Sequence, residues 1–133
     1  MTDLVFFYGT LMSGFKRPGR SRIDPKLTPV GRGSIKATLF DLGIYPAAIP
    51  ASDSRVWGEV HRITDVDAVL TALDELEGFR PSEPDTSLYT RIETPVTFDD
   101  GHVANAWVYF YNAPLGRAPR IDSGDYLEYL RVK

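Results

Sequence analysis

Apolar positions along the 133-residue chain fall into short runs, most with the two-residue alternation of strands. The chain opens with Leu4 to Phe7, apolar on both faces, which predicts a strand buried on both sides. It then turns through Tyr8-Gly9-Thr10-Leu11 while still apolar. The next segment carries Lys16, Arg17, Arg20, Arg22, Lys26, Arg32 and Lys36 against Asp24 alone. Its prolines and glycines predict a loop ahead of a strand near Ser34 to Phe40. Asp41 to Pro50 reads as a turn at Gly43 and a short strand broken by Pro46 and Pro50. Arg55 to Ile63 puts Val56 and Val60 on one face and Trp57 on the other. Leu88 to Phe98 alternates, with Ile92, Val96 and Phe98 facing one way and Arg91 and Glu93 the other. Asp99-Asp100-Gly101 signals a tight turn, and the aromatic-rich Val103 to Asn112 a central strand. A short C-terminal helix is predicted with Ser123 as its cap.

The strongest helical period runs from Thr64 to Phe79. Thr64 with Asp67 fits a capping box, and Gly78 fits a C-terminal stop. Val66, Val69, Leu70, Leu73 and Leu76 form one apolar stripe, with Glu75 opposite and Asp74 at the edge. Glu77 breaks the pattern: four residues after Leu73 and seven after Leu70, it falls inside the apolar sector. Burial and the negative end of the helix both disfavour its charged form, which raises its pKa towards the range of a neutral-pH acid/base. Two readings stand here. Either Glu77 is functional, or it pairs with an arginine such as Arg91, bonds backbone amides, or reaches water past an early helix end. Many strands with one good helix predict an α+β fold, a small barrel-like sheet with the helix packed against it.

The turn after the first strand has a similar ambiguity. A tight turn at a strand end presents consecutive N–H groups, and Gly9 lets a ligand approach the main chain, a geometry suited to a small anion. The plain alternative is an ordinary turn with Tyr8 packed in the core.

Composition removes several chemistries. The chain has no cysteine, so disulfides, thiolate metal sites and a cysteine nucleophile are excluded. His61 and His102 have no spacing partner for a metal site or a Ser-His-Asp triad, and no metal is expected. A net charge of −3 and a basic loop without interleaved aromatics argue against nucleic acid. No apolar run approaches the roughly 20 residues of a membrane span, and Asp3 stands where a signal peptide would be basic. A cytoplasmic protein, one domain over residues 1–133, is the expectation.

Taken together, "VFFYGTLMSG", "LFDLGIYPA", "VWGEVHRI", "LDELEGF", "YTRIETPV", "AWVYFYN" and "IDSGDYLEY" resemble, in this order, the gamma-glutamylcyclotransferase-like family. The pairing of YGTL with LDELEG carries the resemblance, which extends from Leu4 to about Tyr129. It implies a small mixed β-barrel with flanking helices and a cavity at its mouth. It implies that Tyr8, Gly9, Thr10 and Leu11 cradle the substrate and that Glu77 is the catalytic acid/base. Tyr45, Tyr89 and Tyr111 are candidates to line the pocket, or core aromatics. Arg91 is a candidate to hold a leaving-group carboxylate, or a structural ion pair.

The family's reaction is cyclisation of a gamma-glutamyl amine or gamma-glutamyl amino acid to 5-oxoproline with release of the amine. The substrate supplies its own nucleophile, so no cofactor is implied. The alternative reading is a non-catalytic protein of the same fold that binds a small carboxylate or other anion. The segments after the YGTL turn and between Gly78 and the next strand are expected to form the cavity rim.

Overall fold

The computed structural model describes residues 2–13, 15 and 17–132. Lys16 of the basic segment therefore lies outside the described residues. The sheet contains β1 (Leu4–Phe7), β2 (Leu27–Asp41), β3 (Pro46–Ile63), β4 (Tyr89–Phe98) and β5 (Val103–Tyr111). It closes into a barrel in the order β1-β3-β2-β4-β5. Closure is made by a parallel rung between Val5 on β1 and Trp107 on β5; the other strand pairs are antiparallel. The helices are α1 (Arg20–Ile23), α2 (Val66–Glu77) and α3 (Tyr126–Val132). The expected mixed barrel with flanking helices is the observed architecture.

β2 and β3 form one long, bent hairpin. Opposite Lys36 and Ala37 the partner on β3 jumps from Arg55 to Pro50, so residues 51–54 bulge from the ladder. Such a bulge bends its strand and adds twist, which lets five strands curl shut. Ser54 ties the bulge down by donating from its hydroxyl to the Ala37 carbonyl at 2.8 Å. The core fills the barrel with Phe6, Ile35, Leu39, Val56, Val60, Val96 and Val108, all almost fully buried.

Along the strands and at the C-terminal helix the sequence pattern misses in four places. β2 begins at Leu27, not near Ser34. Its Pro29, Gly31 and Gly33 look like loop residues, but Gly33 is there because Val96 packs on its backbone: a Cβ would lie 2.7 Å from Val96 Cγ1. Pro46 and Pro50 do not break a short strand; both sit in β3, Pro50 at the bulge, where a missing N–H is tolerated. Ile92 is 45% exposed, while Val96 and Phe98 on the same strand are buried. The C-terminal helix is capped by Asp125, whose carboxylate accepts the Glu128 N–H at 3.2 Å, and Ser123 instead binds the Asp125 N–H.

Candidate active site

The stripe on α2 is seated as its period predicts: Val69, Leu70 and Leu73 are buried and Glu75 is exposed. No Thr64–Asp67 capping box forms; Asp65 at the N-cap is left-handed, with φ 57° and no side-chain cap bond. At the other end Gly78 takes φ 70° and returns its N–H to the Asp74 carbonyl. This left-handed cap stops the helix directly after Glu77. The Glu77 side chain is left only 11% exposed, lining a cleft of about 80 Å³ at the mouth of the barrel.

Burial pushes the Glu77 carboxyl up to about 7 from its ordinary 4.5, and the neighbouring Arg17 guanidinium pulls it partly back. Arg17 Nη1 lies 3.4 Å from Glu77 Oε1 and donates to Thr10 Oγ1 at 3.2 Å, while Nη2 donates to the Leu76 carbonyl at 2.9 Å. One guanidinium therefore joins the end of α2 to the YGTL turn. The partner of Glu77 is Arg17, not the Arg91 weighed from the sequence. Nothing in the pattern of the basic segment distinguishes Arg17 from its neighbours.

The YGTL turn lines the same cleft. The Gly9 carbonyl accepts the Met12 N–H at 3.0 Å and closes the turn. Among the described residues, the N–H groups of Gly9, Thr10 and Leu11 have no hydrogen-bond partner. Gly9 is required by its neighbour as well: a Cβ there would lie 2.8 Å from Pro46 Cγ. Behind the turn, Arg20 Nε donates to the Leu11 carbonyl at 3.0 Å. Glu59 accepts the Ser13 N–H at 2.8 Å and pairs with His61 Nε2 at 3.2 Å. Burial opposes the charge of Glu59, but these hydrogen bonds outweigh it and hold the carboxyl below its usual range. The turn is thus held by Arg20 and Glu59 and lines the same cleft as Glu77.

Tyrosines build the remaining wall. Tyr8 donates to the Tyr109 carbonyl at 2.6 Å and accepts the Ala48 N–H at 3.3 Å, and Tyr89 donates to the Pro46 carbonyl at 3.0 Å. Burial raises the pKa of both hydroxyls, with the charge of Glu77 adding to it, so both stay protonated. Tyr8, Gly9, Thr10, Leu11, Tyr45, Tyr89 and Glu77 all line this one cleft.

Two expected residues do not line it. Arg91 grips Asp74 through Nε at 2.9 Å and Nη2 at 3.3 Å, and its guanidinium lies over the Trp107 ring at 4.6 Å. Asp74 also accepts the Tyr109 hydroxyl at 2.5 Å. This buried cluster joins α2 to β4 and β5, so Arg91 has the structural fate of its two. Tyr111 packs edge-on against Tyr89 at 5.3 Å, one layer behind the cleft. Tyr109 and Arg17 line it without having been singled out by the sequence, as do the apolar Phe6, Phe7, Pro46, Leu76 and Leu88. Among the described residues, no three His, Asp or Glu side chains gather to hold a metal ion, and no helix is long and apolar enough to cross a membrane.

Residues 5–128 match the family model described as gamma-glutamyl cyclotransferase, AIG2-like. The chain belongs to that family. Among similar proteins, the gamma-glutamylcyclotransferase family protein YtfP of Escherichia coli K12 is 34% identical over 125 residues, covering 93% of this chain and 96% of YtfP. The solution structure of the E. coli protein superposes with a TM-score of 0.66 at 30% identity, over 98% of this chain and 99% of that one. An AIG2-like protein from Mus musculus shares the fold at TM-score 0.67 and 24% identity, over 92% and 88% of the two chains. YkqA from Bacillus subtilis does so at TM-score 0.69 and 23% identity; 99% of this chain there spans 42% of a longer one. For this AIG2-like chain, the match covers the YGTL turn, α2 and every strand but the first residue of β1.

Proposed function

We propose that this chain is a gamma-glutamyl cyclotransferase in which Glu77 is the general acid/base. One observation carries the reading: a nearly buried carboxyl, poised at about 7, lines the same small cleft as a turn whose Gly9, Thr10 and Leu11 amides have no partner among the described residues. The family names of the relatives support the reaction class.

Ionised Glu77 takes a proton from the substrate's α-ammonium. The freed amine attacks the substrate's own γ-carbonyl carbon, and the five-membered ring closes. The bond from that carbon to the leaving nitrogen then breaks as Glu77 returns its proton to the nitrogen. The ring nitrogen gives up its remaining proton, which passes to the departing amine, so the products are 5-oxoproline and the amine as its ammonium, with no net proton consumed. Holding the chain folded for intramolecular attack is worth roughly 7–11 kcal/mol of barrier. Donors at Gly9 to Leu11 would stabilise the developing oxyanion or hold the α-carboxylate.

The test is release of 5-oxoproline from a panel of gamma-glutamyl amines and dipeptides by the wild type and by Glu77→Gln. The expected result is release by the wild type and loss of at least ~100-fold in the variant, in keeping with the removal of a general base. Turnover of Glu77→Gln near the wild-type rate would remove Glu77 from the chemistry. Saturable binding of a carboxylate with no release by either protein would leave the non-catalytic anion-binding reading.

A further inference from the structure

The cleft continues outward into a second recess of about 450 Å³, and the two share Thr10, Arg17 and Tyr45 as common walls. The other walls of the recess are Phe15, Pro18 and Ile44. Ile44, at the turn between β2 and β3, is 84% exposed and adds apolar surface at the outer edge of the recess. The inner compartment, about 80 Å³, is small and holds Glu77; the outer one is wide and lies past it.

This geometry divides a substrate in two. The part that cyclises must reach Glu77, so the group attached to the breaking bond projects towards Arg17, Tyr45 and the outer recess. The chemistry of the recess then selects that group. Its described walls are apolar except for Thr10, the Tyr45 hydroxyl and the Arg17 guanidinium, and they include no carboxylate. The terminal nitrogens of Arg17 are engaged with Thr10, Glu77 and Leu76, but its Nε has no partner among the described residues. Its side chain is 23% exposed. An anionic group arriving there gains a charge-assisted hydrogen bond. A leaving group with a second ammonium would instead meet like charge, with no acid on these walls to compensate.

We propose that the leaving group is an α-amino acid with an apolar side chain, its carboxylate held by Arg17 and its side chain against Phe15, Pro18 and Ile44. This rests on the cyclotransferase reading and narrows it from gamma-glutamyl amines in general to gamma-glutamyl dipeptides with an apolar second residue.

The experiment compares kcat/KM for 5-oxoproline release from three probes. These are gamma-glutamyl-leucine, gamma-glutamyl-isoamylamine, which is the same compound without the carboxylate, and gamma-glutamyl-putrescine, which ends in an ammonium. The leucine compound is expected to lead the isoamylamine compound by roughly 10–100-fold, the worth of one charge-assisted hydrogen bond, and putrescine to be the poorest. Arg17→Gln should slow both of the first two and bring their ratio close to one. Ile44→Asp should shift the ratio several-fold in favour of putrescine. Equal or better turnover of the isoamylamine or putrescine compound would overturn the assignment of the recess and leave cyclotransfer standing. No release from any of the three, or from the wider panel, by folded protein would overturn both.

Discussion

Glu77→Gln separates the electrostatic cost of Glu77 from its shape, because a protonated carboxyl and an amide are nearly isosteric. In the folded chain Glu77 titrates at about 7, against 4.5 for the ordinary carboxyl. Below about pH 4.5 the group is protonated in the folded and the unfolded chain alike, and it costs nothing. Between about 4.5 and 7 the unfolded chain has released the proton while the folded chain keeps it, so stability falls as pH rises. Above about 7 both states are ionised and the full penalty remains. The gap corresponds to about 3 kcal/mol, at ~1.4 kcal/mol for each tenfold. The Gln variant lacks this dependence. Its stability relative to wild type should therefore rise by about 3 kcal/mol between pH 4.5 and 8 and stay level above that. Urea unfolding followed by tryptophan fluorescence at closely spaced pH values measures the difference, and other carboxylates cancel between the two proteins. A difference that stayed flat across this window would mean that Glu77 titrates like a solvated carboxyl, and the case for a poised base would fall with it.

Activity should report the same group from the other side. The acid limb of kcat/KM for 5-oxoproline release is expected near pH 7, and Arg17→Met should move it upward, since the guanidinium holds the carboxyl down. A limb that stayed in place in that variant would uncouple Arg17 from Glu77. Arg91→Met removes one partner of the buried Asp74 pair and should cost about 3–5 kcal/mol in urea unfolding, with the KM for gamma-glutamyl compounds little changed. A large rise in KM with stability intact would return Arg91 to the substrate. Gly9→Ala pushes a methyl towards Pro46 and should destabilise by about 1–3 kcal/mol while lowering activity; a crystal structure with the turn unmoved would contradict this.

Much of the site was legible because the sequence breaks its own rules there. Glu77 stands out as a charge within an apolar stripe, and the structure finds it nearly buried in the cleft wall. The YGTL turn stands out as polar backbone following a fully apolar strand, and the N–H groups of Gly9, Thr10 and Leu11 have no partner among the described residues. What stayed hidden depends on contacts between distant segments. Arg17 acquires its role from the end of α2, and Arg91 from Asp74 and Tyr109 on other elements. The start of β2 was hidden because glycine and proline usually mark loops, whereas here Gly33 is demanded by a side chain from β4. Ile92 was misplaced because alternation along a strand gives its two faces but not where along its length the barrel stops covering it.

The closing rung between β1 and β5 has a consequence for how the molecule comes into being. β1 finds its second neighbour, around Trp107, only after β2, β3 and β4 have been made, and the flanking Thr2–Asn105 bond spans 103 residues. Contacts this distant in sequence are slow to form, because a long loop must close before they repay its entropy. The turn that follows β1 therefore gains its final footing late, when β5 arrives beside it. A chain stopped short of β5 would present β1 with an open edge, a ready template for pairing with other chains. In this barrel the cleft is completed in the same late step that removes that edge.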